Sequence, residues 1–254
     1  MPQLILILFI LGFMYTNGQS VSQDDKEAVT WFGKIAGQGE AFVQYTLGVM
    51  YYKGQFVAQD DREAVKWFRK AAEQGHAQAQ TDLGWSYLDG QGVAQDDKEA
   101  VKWFRKAAEQ GHAPAQSRLG WSYLDGQGVA QDDKEAVKWF RKAAEQEYAP
   151  AQFKLGLIYA NGQGVAQDDR EAVAWFRKAA EQKIVLAQFQ LGLMYANGQG
   201  VAQDLIQAHK FSNIAGANGN NLGRINKDVL ELKMTPDQIA EAKKLAREWM
   251  ETHK

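Results

Sequence analysis

Residues 77–112 read AQAQTDLGWSYLDGQGVAQDDKEAVKWFRKAAEQGH. Two helices and a turn are written in this stretch. Ala79, Leu83 and Tyr87 stand four apart, on one face of a first helix predicted over about 77–88. Asp89-Gly90-Gln91-Gly92 ends that helix, since the two glycines can take the positive φ angles of a tight turn. Asp96 is a good N-cap, and Glu99 three residues on gives the pattern of a capping box. Ala100, Trp103, Phe104, Ala107 and Ala108 form the apolar stripe of the second helix. Its outer face carries Lys98, Lys102, Arg105, Lys106 and Glu109, with Arg105 and Glu109 spaced for an i,i+4 pair. Gly111 is placed for the C′ position.

The stretch is copied along the chain. Trp31, Trp67, Trp103, Trp139 and Trp175 are each 36 residues apart, and the next step lands on Phe211. Leu47-Gly48, Leu83-Gly84, Leu119-Gly120, Leu155-Gly156 and Leu191-Gly192 keep the same step. The Asp96/Glu99 pattern recurs as Asp24/Glu27, Asp60/Glu63, Asp132/Glu135, Asp168/Glu171 and Asp204/Gln207. Residues 77–112 and 113–148 differ only at Gln78/Pro114, Thr81/Ser117, Asp82/Arg118, Gly111/Glu147 and His112/Tyr148. One such hairpin cannot bury its own faces, whereas stacked copies can. The expected fold is therefore all-α: a right-handed α-solenoid of about six 36-residue antiparallel helix pairs with C-terminal capping helices. Residues 21–220 would form the solenoid and 221–254 the capping helices, with 1–20 a separate apolar segment.

Copy number also explains the composition. Among 254 residues there are 24 Gly but 4 Pro, and 8 Trp. The apolar share of 45% suits a folded chain. Lys+Arg 29 against Asp+Glu 31 leaves a net charge of −2, without the basic excess that marks nucleic-acid binding. Zero cysteines exclude a disulfide framework, a thiolate metal site and a Cys nucleophile.

The repeat, A-x-A-Q-x-x-L-G-x-x-Y-x-x-G-Q-G-V-x-x-D-x-x-x-A-V-x-W-F-x-K-A-A-E-Q-G, resembles the Sel-one-like repeat (SLR), a relative of the tetratricopeptide repeat. The resemblance covers about residues 5–220. The tail, Met234-Thr235-Pro236-Asp237-Gln238-Ile239 to Trp249, looks like the terminal helix of many bacterial members. The resemblance implies a non-enzymatic scaffold or adaptor for an unknown protein partner, often at or beyond the cell envelope, with no cofactor and no common catalytic residues. Cysteine-rich relatives imply an alternative, binding or hydrolysis of cell-wall or β-lactam material, but those members are disulfide-stapled. Phe56 in place of the Gly92-type glycine, Glu147 and Lys183 in place of the Gly111 type, and Phe211-Ser212 in place of Trp-Phe depart from the pattern.

The ends differ in character. Residues 1–10 are apolar like a signal peptide, yet no Lys or Arg precedes them. Leu11–Gln19 matches Leu191–Gln199 at seven of nine positions, five periods away. The segment reads as a first helix of a degenerate repeat or as a cleaved or anchoring leader. Membrane contact is expected only if it anchors, and the compartment follows: envelope, periplasm or secreted with a leader, cytoplasmic without. At the other end Leu222, Ile225, Val229 and Leu232 follow helical spacing. Thr235, Pro236 and Gln238 then write a capping box before the stripe Ile239, Ala242, Ala246, Trp249 and Met250. These helices read either as a partner-binding helix or as a lid over the last apolar face.

Chemistry-bearing residues are sparse. His76 and His112 hold the same turn position in successive repeats, about 10 Å apart by helix packing, too far to share a metal. His209 and His253 stand elsewhere in the chain. The Asp-Gly-Gln-Gly turns lack both the Lys-Ser/Thr of a phosphate loop and the closing Glu of a calcium loop. The Asp-Asp pairs recur at every second-helix start and read as caps.

One surface stands out. On a helical wheel with Leu83 at zero, Thr81, Trp85 and Leu88 fall at about 160°, 200° and 140°, opposite the core face. Their equivalents are Tyr45, Val49 and Tyr52; Ser117, Trp121 and Leu124; Phe153, Leu157 and Ala160; Phe189, Leu193 and Ala196. First helices line the concave side in solenoids of this type. The aromatic-rich ridge is thus either a groove for a partner segment or inter-repeat packing. Position 82 and its equivalents, Thr46, Asp82, Arg118, Lys154 and Gln190, change charge from repeat to repeat and are candidates for specificity.

Overall fold

The computed structural model describes residues 25–55 and 57–253, without the side chains of 25–28 and Trp31. The readings of the N-terminal segment and of Phe56 fall outside the described residues. The described residues form thirteen α-helices and no strand. They divide into two compact units, the first ending at Gln131 and the second running from Asp132.

The first unit holds α1 (Asp25–Ala36), α2 (Ala41–Lys53), α3 (Asp61–Glu73), α4 (Ala77–Asp89), α5 (Asp97–Glu109) and α6 (Ala113–Asp125). Each helix packs on the next. The second unit holds α7 (Asp133–Glu145), α8 (Ala149–Asn161), α9 (Asp169–Glu181), α10 (Val185–Asn197) and α11 (Leu205–Ala217), again packed in sequence. Two further helices, α12 (Asn221–Glu231) and α13 (Pro236–Thr252), both rest on α11. Every first helix from α2 to α10 and every second helix from α3 to α11 is 13 residues long, as the rigid sequence period requires. The chain is an all-α repeat solenoid.

The core is the expected one. Ala100, Trp103, Phe104, Ala107 and Ala108 are all buried, as are Ala79 and Leu83. A Cβ on Gly84 would come within 2.6 Å of the Phe104 ring, so the Leu-Gly pair lets the two helices of a repeat close on a phenylalanine. Gly90 ends α4 in the left-handed region, at φ 68. Gly92 (φ +73) carries a second constraint: a Cβ there would stand 2.1 Å from the carbonyl oxygen of Asp61, at the start of α3. Only glycine lets this turn lie against the preceding repeat's backbone.

Second helices end in Schellman motifs. His112 N–H donates to Ala107 O (3.1 Å) and Gly111 N–H to Ala108 O (3.0 Å), with Gly111 at φ +89. Glu147 and Lys183 keep the same bonds without glycine, at φ 63 and 65.

The capping boxes of the second helices form by half. The Asp96 carboxylate accepts from the N–H groups of Lys98 and Glu99, both at 3.0 Å. The reciprocal arm is not made, because Asp96 N–H already donates to Tyr87 O at 2.9 Å. Glu99 turns instead to Lys102. The box at Thr235/Gln238, which has no such competing carbonyl, is complete.

Two ladders that the sequence reading did not contain tie repeats together. Gln80 donates to Ala72 O (2.9 Å) at the end of α3 and accepts from Gln110 (2.7 Å). Gln44 and Gln74 repeat this in the first unit, and Gln152 and Gln182 in the second. Arg105 does not pair with Glu109 but donates to Tyr123 Oη at 2.8 Å, joining α5 to α6. Arg69 and Tyr87 do the same in the first unit, and Arg177 and Tyr195 in the second.

Candidate functional site

Burial separates the ridge positions into exposed, half-buried and core residues. Trp85 and Trp121 are 42% and 36% exposed, and Tyr52 is 42% exposed. Tyr45, Val49, Phe153, Leu157, Phe189 and Leu193 are half-buried. Leu88 and Leu124, expected on the ridge, are core at 7% and 6%. Leu88 packs with Ala100 and Phe104 of the second helix in its own repeat. A wheel drawn for one helix places it outward, but the returning helix covers that flank.

The first unit shows how ridge residues are held. The Trp85 ring meets the buried Phe104 ring edge-on, with centroids 5.6 Å apart. Tyr45 stacks on His76 at 4.7 Å. His76 and His112 are more than turn residues: both are N-cap residues, and His76 Nδ1 accepts from Ala79 N–H at 3.1 Å. Each also leans on the preceding first helix, His76 through Tyr45 and His112 through the Thr81 hydroxyl at 2.9 Å. Burial lowers the proton affinity of both imidazoles.

The variable positions Thr46, Asp82, Arg118, Lys154 and Gln190 are all half-buried. Two of them reach back onto the preceding first helix. Asp82 accepts from Gln78 (3.0 Å) and from the Tyr45 hydroxyl. Burial raises the Asp82 carboxyl above its usual range, and burial, with Asp82 beside it, raises the Tyr45 phenol. The Arg118 guanidinium lies 5.0 Å from the Trp85 centroid and donates to Gln127 at 2.7 Å. Thr46 is spent locally, on Phe42 O at 2.9 Å.

Between α2 and α4 the ridge opens into a cleft of about 370 Å³. Tyr45, Val49, Tyr52 and Lys53 line one wall, Asp82, Trp85, Ser86 and Asp89 the other, and Phe68 and Gln91 complete it. Such a surface offers ring faces, two carboxylates and one ammonium. No group of three or more His, Asp or Glu that could hold a metal occurs among the described residues. No helix among them is long and apolar enough to cross a membrane.

At the C-terminal end the stripe Leu222, Ile225, Val229 and Leu232 faces outward, at 59%, 58%, 46% and 87% exposure. To its neighbours α12 presents Gly223, Asn226 and Leu230, with Asn226 donating to Ser212 Oγ at 2.8 Å. Ile225, Val229 and Leu232 lie 36 residues after Phe189, Leu193 and Ala196, so α12 continues the ridge register of the second unit. It is exposed there because no further repeat follows to cover it among the described residues.

The Sel1 repeat model matches residues 8–40, 41–76, 77–112, 113–148, 149–183 and 185–220. A Sel1 repeat protein from Oxalobacter formigenes is 37% identical at a TM-score of 0.74, over 84% of this chain and 88% of its own. The c5321 protective antigen of uropathogenic Escherichia coli, which displays an SLR fold, is 34% identical at 0.60. That match covers 98% of this chain but 61% of the antigen. Immunity protein Pa5087 from Pseudomonas aeruginosa, 19% identical at 0.50 over 85% of this chain and 82% of its own, shares the fold alone. No curated protein matches significantly. Sel1 repeat proteins are generally protein-interaction scaffolds. With six repeats matched and the helices repeating in step, this chain belongs to the Sel1 repeat family.

Proposed function

We propose that the protein is a non-enzymatic adaptor whose first-helix ridge binds a segment of a partner protein, with Trp85 and Trp121 as anchors. One observation carries this reading: two tryptophans, one repeat apart on the same helix face, stay exposed, with Tyr52 exposed beside them on the ridge. Tryptophan is a frequent anchor at interfaces. Trp85 is already fixed by Phe104 and Arg118, so little side-chain freedom is lost on binding. Successive first helices lie roughly 10 Å apart, which about three residues of an extended segment would span. In this reading the variable positions tune specificity. Arg118 flanks Trp85, and Asp82 sits in the adjoining cleft. The alternative use on cell-wall or β-lactam material has no structural observation in its favour.

The test is the double variant Trp85→Ala/Trp121→Ala, compared with wild type in affinity capture from the native host. Partner recovery should fall at least tenfold while the helical circular-dichroism signal and melting temperature are kept. Capture that survives in a folded double variant would refute the ridge.

A further inference from the structure

We infer that the cleft between α2 and α4 takes an arginine side chain of the bound partner; this rests on the ridge reading and narrows it to a chemistry. The chain itself supplies the precedent one repeat later. There the same seam is closed by Arg118, whose guanidinium lies over Trp85 at 5.0 Å and Phe104 at 5.8 Å. Its Nη2 donates to Gln127 Oε1 at 2.7 Å; burial lowers its proton affinity, and the carboxylates of Asp125, Asp89 and Asp97 oppose that fall.

Stepping back 36 residues keeps part of the surroundings and changes the occupant, while Trp85 becomes Val49 and Asp89 becomes Lys53. Phe104 becomes Phe68, Gln127 becomes Gln91, Asp125 becomes Asp89 and Asp97 becomes Asp61. Arg118 becomes Asp82. The arginine's place is therefore given to a carboxylate, and a cleft lined by Phe68, Gln91, Asp89 and Asp82 opens where the guanidinium would lie. Gln91, the counterpart of Gln127, lines the cleft and uses its amide N–H on Asp61 Oδ2 (3.2 Å).

The charges agree with a cationic guest. Asp82 and Asp89 line the cleft against one Lys53, an excess of one negative charge that one guanidinium balances. Asp82 is half-buried with Gln78 as its donor, and a forked guanidinium would add a charged partner. Phe68, Tyr45 and Trp85 bring aromatic rings to the cleft, although Arg118 lies over Trp85 and His76 stacks on Tyr45. Planarity and the bidentate fork favour arginine over lysine.

The experiment follows the Trp85 indole signal of the full chain by NMR, assigned with Trp85→Phe. The chain is titrated with N-acetyl-arginine N-methylamide and with its neutral citrulline counterpart. A saturable shift with the arginine probe and at least tenfold weaker response to citrulline is expected. Asp82→Arg, which puts a guanidinium at the position equivalent to Arg118, should abolish the response in a folded protein, and Asp82→Asn should weaken it severalfold. Equal response to both probes, no saturable response, or full response in Asp82→Arg would overturn the inference. Failure of the ridge reading looks different. An absent arginine response, with capture still lost in Trp85→Ala/Trp121→Ala, removes the cleft and leaves the ridge. A specific arginine response, with capture surviving that double variant, keeps the cleft and removes the ridge.

Discussion

Replacing Gly92 by alanine tests whether repeats are locked by backbone contact at the turn. Two costs add. The left-handed φ of +73 costs an L-residue about 1 kcal/mol or more. The new Cβ would also meet Asp61 O at 2.1 Å and Asp61 C at 2.4 Å, more than 1 Å inside ordinary contact. A backbone carbonyl at a helix start cannot swing aside like a side chain. Either α3 shifts or the turn opens and loses the Gln91–Asp61 bond. Overpacking of this kind costs about 1–3 kcal/mol, giving a total near 3 kcal/mol. Gly111→Ala is the matched control, since its φ is +89 but nothing lies within 4 Å. It should cost only the conformational part, about 1 kcal/mol. For a chain of this size these correspond to losses of roughly 6–12 °C and 2–4 °C in Tm. Melting followed by circular dichroism, with urea titration to check cooperativity, measures both. Losses equal within about 0.5 kcal/mol would show that the close approach carries no energy.

Other outcomes follow from single observations. Glu147→Gly and Lys183→Gly should each stabilise by about 0.5–1 kcal/mol, because both residues sit at positive φ; a loss of stability in urea titrations would contradict this. Leu230→Ala should cost about 2–4 kcal/mol and Leu232→Ala less than 0.5, since they are 4% and 87% exposed; similar costs would restore the inward lid. His209 is buried, with Nε2 on Glu231 Oε1 at 2.9 Å and Nδ1 buried without a partner, the pattern of a neutral ring. Burial holds its pKa below the ordinary 6.5, against the raising effect of Glu231, with Lys243 and Lys227 assisting the fall. The unfolded chain then takes the proton first, so stability should decline as pH falls below about 6.5. Glu231, held at about 2 chiefly by His209 and Lys243, adds a second loss between pH 4.5 and 2. An NMR titration in which His209 protonates at or above pH 6.5 would contradict the first step.

Much of the fold was legible because the repeat is written without an insertion. Period, helix starts at Asp96-type caps and stops at Gly90 and Gly111 are local chemistry, and the structure keeps them. What escaped depended on a second chain segment. Leu88 reads outward on its own helix, yet α5 returns over it with Ala100 and Phe104. Glu99 reads as half of a capping box, yet Tyr87 O already holds the Asp96 N–H. The stripe of α12 is apolar at helical spacing, yet it is exposed, with no repeat packed on it among the described residues. Of the site, the ridge positions and the variable position 82 were visible as a pattern. That Arg118 crosses to Trp85, and that Asp82 opens the matching cleft, needs side-chain directions across two helices. The equal spacing of the Gln and Arg–Tyr ladders was a signal in the sequence, because Gln80, Arg105 and Tyr123 recur at the same step as the tryptophans.

The central claim is where the partner lies. Photo-crosslinking answers it directly, with p-benzoylphenylalanine placed singly at positions 85 and 121 on the ridge and at 66 and 102 on the outer faces of α3 and α5, where Lys66 and Lys102 are about two-thirds exposed. Irradiation with the captured partner should give adducts from 85 and 121 and none from 66 and 102. Adducts from 66 or 102, with none from the ridge, would contradict the account.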